Sequence, residues 1–283
     1  MTLLSNPIPN GSGDVSPEHG PLRIGIDIGG TGIKATIVNK TTGEIVRPVL
    51  QVPTPQPAAP DAVGAAVRDL VSTLTDWACQ PIALAPIGLA FPAIVDNGIA
   101  RSAANIDPAW IGLDIENFMT QKLHREVRAL NDADAAGLAE TIYGAGRQAS
   151  GTILVITLGT GIGSALVVNG QIVPNTEFGH LELDGVDAET RASAAARERD
   201  GIDWPEYSAR LQRYFSHLEF LLSPDLIIVG GGISARSQDF LPRLKLNTPL
   251  VPAALQNTAG MIGAVVNTDA ARRSAGPFTG SHY

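Results

Sequence analysis

Apolar residues recur along this chain at two spacings, and segments of the two kinds alternate. Ile24, Ile26 and Ile28 occupy every second position of Arg23–Ile28, which predicts a strand with Asp27 on the face opposite the isoleucines. Ala35–Val38 and Glu44–Val49 predict two further strands joined by a turn at Thr41, Thr42 and Gly43. An antiparallel meander therefore opens the fold. Pro53 to Pro60 contains four prolines and predicts an extended connection. Beyond it, Val63, Val67, Leu70, Val71 and Leu74 recur at three- and four-residue steps, predicting a helix from near Asp61 to about Trp77.

The alternation continues to the end of the chain. Ile82–Phe91 predicts a strand, and Asp96-Asn97-Gly98 a hairpin turn. A helix over Asp114–His124, a strand over Glu126–Leu130 and a helix over Ala133–Tyr143 follow. Leu154–Leu158 and Ala165–Val168 predict strands, with a hairpin turn at Asn169-Gly170. Asp187–Arg199 and Tyr207–Leu222 predict helices, the second with Leu211, Tyr214, Phe215, Leu218, Leu221 and Leu222 inward. A strand over Leu226–Val229 and a small-residue helix over Ala253–Val266 complete an α/β pattern. Residues 1–20 read as a flexible leader and 271–283 as a flexible tail.

Three of the predicted strands run into glycines. The first meets Gly29, Gly30, Thr31 and Gly32, with Lys34 just beyond; the second meets Gly159, Thr160 and Gly161; the third meets Gly230, Gly231 and Gly232. Glycine lets backbone N–H groups approach an anion unobstructed, and Thr31 and Lys34 add a hydroxyl and a charge. Each stretch has two readings, a phosphate cradle or a plain turn. Their recurrence favours one ligand touched from several sides. Neither GxxxxGK[ST] nor GxGxxG spacing occurs, so neither a P-loop nor a dinucleotide-binding unit is indicated.

Composition narrows the field. With 283 residues, 44% of them hydrophobic, the chain can build one large or two moderate cores. The single cysteine, Cys79, excludes an internal disulfide and suits a reducing, cytoplasmic setting. No apolar run approaches the ~20 residues that cross a bilayer, and a net charge of -8 argues against nucleic-acid or membrane-surface partners.

Among polar residues, Asn105 either contacts a ligand or caps the turn before Asp107. Asp132 follows a predicted strand, where α/β sheets gather ligands, and is a candidate catalytic base; the competing reading makes Asp132 or Asn131 the cap of the next helix. Glu177, His180 and Glu182 lie close enough in sequence to satisfy several hydroxyls of a polyol. A metal site there lacks an HExxH, a cysteine pair or a second nearby histidine. Lys122, His124, Arg125 and Arg128 form a basic cluster that is either a track for a long phosphate chain or the cationic end of a helix.

In order, DIGGTGIK (27–34), NDADAAGLAE (131–140), LGTGIGSAL (158–166), EFGHLELDG (177–185) and IIVGGGIS (227–234) resemble the ROK family of sugar kinases. PNTEFGHLELDG (174–185) and VPAALQNTAGMIGA (251–264) resemble the polyphosphate glucokinases and polyphosphate/ATP glucomannokinases within it. The resemblance implies a two-lobed, actin/hexokinase-like (ribonuclease H-like) α/β kinase fold with an interdomain cleft. Its first lobe would span 21–130, joined by a C-terminal helix at about 258–270, and its second 131–257.

The resemblance also implies a reaction. Glucose, and mannose as a second acceptor, would be phosphorylated at the 6-hydroxyl from inorganic polyphosphate or ATP, with Mg2+ carried by the donor. Asp132 would be the general base, and Asn105, Asn131, Asp132, Glu177, His180 and Glu189 would hold the sugar. Asp27, Gly29, Gly30, Thr31, Gly32, Lys34, Thr160, Gly161, Gly231 and Gly232 would line the donor phosphates, Asp27 also serving the metal's outer shell. Many ROK proteins carry a cysteine-rich zinc motif, but Val186–Ala196 contains no cysteine, so no structural zinc is expected. A homodimer is expected from the family, and a polar leader cannot supply the helix-turn-helix of ROK repressors. A strictly ATP-dependent hexokinase and a non-catalytic sugar sensor are the competing functions.

Overall fold

A computed structural model describes residues 20–78, 82, 84–104 and 106–269; the leader, the tail, Cys79 and Asn105 lie outside the described residues. Strands β1 (Leu22–Ile28) and β2 (Gly32–Asn39) form an antiparallel hairpin paired from Leu22↔Asn39 to Ile28↔Ile33. Strands β3 (Glu44–Ile45) and β4 (Leu50–Pro53) both add to β2. The single strand expected over Glu44–Val49 is therefore split. The buried Thr36 hydroxyl holds the Arg47 carbonyl at 2.7 Å, and Pro48 has no amide with which to continue the ladder.

Helix α1 (Pro60–Trp77) starts on its proline and buries Val63, Val67, Leu70, Val71 and Leu74. It leads to β5 (Ile87–Phe91), which runs parallel to β1 and starts five residues later than the expected Ile82. Strands β6 (Val95–Asp96) and β7 (Ile99–Ala100) make the expected hairpin, with positive φ at Asn97 and Gly98. Helix α2 (Ile115–Leu123) then delivers β8 (Val127–Asn131), parallel to β5. The order of the first sheet is β3-β2-β1-β5-β8. Ile24, Ile26 and Ile28 enter its core with the apolar faces of α1 and α2.

Helix α3 (Asp132–Ile142) opens a second unit of the same plan. Strands β9 (Thr152–Leu158) and β10 (Ile162–Val168) form a hairpin, extended by β11 (Gln171–Val173). A small hairpin, β12 (Glu182–Leu183) with β13 (Val186–Asp187), precedes α4 (Glu189–Ala192), α5 (Ala194–Asp200) and α6 (Trp204–Leu222). The continuous helix expected over Asp187–Arg199 is thus two short ones. Ser193 is extended at the break, and its hydroxyl caps α5 by accepting from the Ala196 amide at 3.1 Å. On α6 the inward stripe ends at half-buried Leu222, whereas Leu221, expected inward, is 50% exposed at its edge.

Strand β14 (Leu226–Gly230) runs parallel to β9, and after α7 (Ser237–Phe240) strand β15 (Leu250–Pro252) runs parallel to β14. The last helix, α8, covers Ala259–Val266 rather than Ala253–Val266. The Ala254 and Leu255 amides donate to the Glu140 carboxylate at 3.0 and 2.7 Å, which holds that stretch out of the helical path. No helix among the described residues is long and apolar enough to cross a membrane.

The two sheets are joined through α3 and α8. Gly25 of β1 lies directly against the Met261 backbone of α8, and Gly263 of α8 against the Ala135 carbonyl of α3. A Cβ at Gly263 would overlap backbone that has no flexible end to move aside. We expect Gly263→Ala to lower the unfolding free energy by roughly 1–3 kcal/mol, read from urea denaturation. Gly232→Ala, where a Cβ meets open space, is expected to stay within about 0.5 kcal/mol of the wild type.

Candidate active site

The site is built where β8 passes into α3. Asn131 ends the strand, and its Oδ1 accepts from the Ala133 and Asp134 amides at 2.8 and 3.0 Å, so Asn131 is the helix cap. Its Nδ2 donates to the Ala93 carbonyl at 3.1 Å. Both ends of the Asn131 amide therefore support the strand-to-helix junction. Asp132 is released from capping, with only Oδ1 engaged by the Ala133 amide at 2.9 Å.

Asp27 approaches from the neighbouring hairpin. It is the register partner of Lys34 and packs against Gly260 in the first turn of α8. Burial raises its carboxyl above the usual range, and the Lys34 charge opposes the rise. Asp132 is pushed up to about 7, by burial first and by the Asp27 charge second, while the Ala133 amide pulls the other way and Glu177 adds to the rise. A carboxyl left at the ordinary ~3.9 would be a poor base; this one is poised near neutral pH. Asp27, Lys34, Asp132, Thr157, Gly231 and Gly260 share a cavity of about 190 Å³ with walls from both sheets.

The three glycine stretches are turns of different kinds. Gly29–Gly32 closes the β1–β2 hairpin through Gly29 N donating to Gly32 O at 2.9 Å. The Gly29 carbonyl accepts from the Thr54 hydroxyl at 2.6 Å, and the Thr31 carbonyl from the Thr54 amide at 3.2 Å. Those contacts fix Gly30, Thr31 and Gly32 through carbonyls rather than amides. In the β9–β10 turn, Gly159 N donates to Gly161 O at 2.9 Å and Thr160 is exposed. After β14, Gly231 has φ 82° and lies against the Leu158 backbone, followed by a short 3-10 turn from Gly232. Of the expected donor-site residues, Asp27, Lys34 and Gly231 line the cavity with Asp132; the remaining glycines and threonines do not.

Glu177, whose charge acts on Asp132, comes together with His180 and Glu189. Glu177 is raised by burial, lowered by His180 and raised again by Glu189. Glu189 Oε2 accepts from the Ile162 amide at 2.8 Å, which ties it to the second glycine turn. Two residues that sequence reasoning missed organise this cluster. Asp187 Oδ2 bonds His180 Nδ1 at 2.8 Å, and its Oδ1 accepts from the Glu189 amide at 2.9 Å. Asn175, two positions before Glu177, pairs with both backbone groups of Val95 at 2.9 Å and donates its own amide to Asp134 Oδ2 at 2.8 Å. This fastens the loop carrying Glu177 to β6 of the small β6–β7 hairpin. The Asp134 carboxyl, buried behind it, is pushed up to about 7 despite the Asn175 amide. The position of Asn175 inside PNTEFGHLELDG was the available signal for it; for Asp187, only its place opposite Glu182 across a short hairpin was.

Lys122, Arg125 and Arg128 of the basic cluster have partners within the fold, which does not favour the track reading. Lys122 pairs with Asp61 at 2.7 Å, Arg128 with Glu126 at 2.6 Å, and Arg125 donates to the Ile82 and Ala85 carbonyls at 2.6 Å. The helix-end reading fits them instead. Among the described residues, no group of three or more His, Cys, Asp or Glu is arranged to hold a metal ion.

Known proteins match this arrangement. A family model described as the ROK family covers residues 23–200. The chain is 43% identical over 255 residues to a polyphosphate glucokinase of Mycobacterium tuberculosis (strain CDC 1551 / Oshkosh), covering 90% of this chain and 92% of that one. It is similar, with TM-score 0.85 and 56% identity, to an inorganic polyphosphate/ATP-glucomannokinase from Arthrobacter sp. strain KM, covering 88% of this chain and 98% of that one. A ROK family glucokinase from Streptomyces griseus, solved with glucose and AMPPNP, shares the fold with TM-score 0.72 at 23% identity, over 86% of this chain and 98% of that one. The fold is the two-lobed, actin/hexokinase-like arrangement expected from the sequence.

The electrostatics of the cavity can be read directly. A carboxyl-carbon NMR titration of Asp132 is expected to show a midpoint near 7. In Asp27→Asn the midpoint is expected to move to lower pH, because the neighbouring negative charge that raises it is gone.

Proposed function

The chain belongs to the ROK family, and from that premise we propose that it phosphorylates glucose at the 6-hydroxyl, using inorganic polyphosphate or ATP. The observation that carries the proposal is the Asp132 carboxyl. It stands just past the carboxyl end of a parallel strand, within the influence of Glu177 and in a cavity that it shares with Lys34, Gly230 and Gly231. Likeness to the polyphosphate glucokinase and to the polyphosphate/ATP-glucomannokinase supports the donor and adds mannose as a second acceptor.

In this reading Glu177, His180 and Glu189 hold the sugar hydroxyls, and Lys34 with the amides of the glycine turns faces the donor phosphates. Asp132 Oδ1 stays anchored on the Ala133 amide, so Oδ2 takes the proton of the 6-hydroxyl. As that proton leaves, the sugar oxygen bonds the terminal phosphorus and the bond from phosphorus to the rest of the donor breaks. The products are the sugar 6-phosphate and either ADP or a polyphosphate one unit shorter. A base poised near 7 needs less of the late proton transfer that loose phosphoryl transition states tolerate.

The Asp27 charge raises the Asp132 carboxyl in a cavity that both line, a setting that fits a divalent cation. Asp27 would hold Mg2+ through water, and the ion would offset the charge of the donor it arrives with. As the family resemblance implies, the proposal includes a cytoplasmic homodimer.

A coupled assay with glucose and Mg2+ tests the donor. Glucose 6-phosphate is expected with long-chain polyphosphate in the absence of nucleotide, and also with ATP. Turnover with ATP alone would make the protein an ordinary hexokinase, and none with either donor would leave a sugar sensor. Because the base must be ionised, kcat/KM is expected to rise with pH through about 7 and level off above it. Asp132→Asn is expected to lower kcat by roughly 10²–10⁴-fold while glucose affinity stays within about threefold.

A further inference from the structure

His180 and Glu189 are drawn together by one side chain that the proposed reaction does not itself use. Asp187 ends β13, and its backbone is fixed by pairing with Glu182 and by the Thr190 hydroxyl, which donates to its carbonyl at 2.7 Å. Its two carboxylate oxygens point to different partners. Oδ2 meets His180 Nδ1 at 2.8 Å, and Oδ1 receives the Glu189 amide at 2.9 Å. Glu189 in turn accepts from the Ile162 amide at 2.8 Å, so its carboxylate is anchored at both ends of its own reach. The result is a chain of contacts running from the imidazole to the β9–β10 turn.

A carboxylate accepts hydrogen bonds and does not donate them when ionised. The nitrogen that faces Asp187 must therefore carry the proton, and the neutral imidazole is held as the Nδ1–H tautomer. Its Nε2 is then a lone pair, able to accept from a hydroxyl, on a ring whose side chain is 52% exposed. The charged groups that face the ring are Asp187, Glu189 and Glu177, all acidic, and they act in the same direction in raising its affinity for a proton. Without Asp187 nothing among these contacts would choose between the two tautomers.

We propose that Asp187 is a positioning residue for sugar binding, which fixes the tautomer and direction of His180 and seats the first turn that carries Glu189. This inference rests on the reading above that His180 and Glu189 hold the sugar. A purely structural alternative exists, because Asp187 also closes a local turn onto Glu189. The two roles separate in Asp187→Asn. An asparagine whose Oδ1 still accepts from the Glu189 amide presents its NH2 to His180, and a donor facing Nδ1 forces the opposite tautomer. The turn survives and the imidazole is inverted.

The experiment uses the full chain and glucose as the probe. In Asp187→Asn, glucose KM is expected to rise by on the order of tenfold with kcat changed less than about threefold, and the 15N shifts of the His180 ring, assigned by their loss in His180→Ala, are expected to switch from the Nδ1–H to the Nε2–H pattern. In a His180→Ala background, adding Asp187→Asn is expected to change glucose KM by less than about twofold, since the residue through which Asp187 acts is gone. Asp187→Ser, which keeps a turn-forming oxygen but cannot reach the ring, supplies the same comparison if the asparagine variant does not fold. If His180→Ala raises glucose KM but neither Asp187 variant does, the positioning role is overturned and the sugar reading stands. If His180→Ala leaves glucose KM unchanged, the sugar reading fails and this inference goes with it.

Discussion

Backbone contact between α3 and α8 sets the relation of the two sheets, and the site inherits its dimensions from that contact. Gly263 brings α8 onto the Ala135 carbonyl, and Gly25 brings the same helix onto β1. Contacts between backbones leave no rotamers to adjust, so they fix a distance more firmly than interdigitated side chains do. The carboxylates of the cavity depend on these elements: Asp132 is the first residue of α3, Glu140 lies further along it, and Asp27 packs against Gly260 at the start of α8. The influence of Asp27 on Asp132 is thus a consequence of helix packing as much as of sequence.

That geometry creates an electrostatic problem with a chemical use. Asp27, Asp132, Glu177 and Glu189 converge, with Lys34 as the basic neighbour of Asp27 and His180 as that of Glu177. An acidic cluster in a chain of net charge -8 repels an anionic donor. Burial relieves part of this by holding Asp132 near half-protonation at neutral pH, where removing a proton and accepting one are both accessible. On the proposed reading, polyphosphate and ATP would be received by backbone amides, by Lys34 and by the cation they carry. Lys122 and Arg128 are paired with carboxylates, which weakens their long-range attraction for an anion, while Arg125, bonded to carbonyls, keeps its charge.

Periodicity revealed most of the elements because the first core follows it closely: alternate isoleucines in β1 and three- and four-residue steps in α1 face one apolar cluster. It failed where a local hydrogen bond overrode composition. Ser193 ended a run that its alanines extend, Glu140 drew Ala254 and Leu255 out of a helix, and Pro48 split a strand. The site was legible in the same uneven way. Asp132 and the cluster around Glu177 stand in motifs whose spacing brings them together. Asp187 and Asn175 were hidden because their work lies in pairings across the fold, to His180 and to Val95, which no local pattern encodes. The choice of Asn131 over Asp132 as cap was likewise open in sequence, since both residue types cap well; only the direction of the side chains decides it.

Donor and acceptor are met by different kinds of group, and this bears on specificity. On the proposed reading the donor side is formed by Lys34, Asp27 and the backbone at Gly230 and Gly231, groups that answer to phosphate oxygens and their cation without reference to what the phosphate is attached to. Such a surface does not require a purine, so a chain of phosphates and a nucleoside triphosphate present the same terminal group to it. The acceptor side, on the same reading, is formed by Glu177, His180 and Glu189, and the contacts of His180 and Glu189 give their side chains fixed directions. Directional side chains distinguish hydroxyl positions, whereas amides and charge measure only phosphate. A kinase built on that reading would be broad toward its donor and selective toward its sugar, and the selectivity would depend on how rigidly those side chains are held.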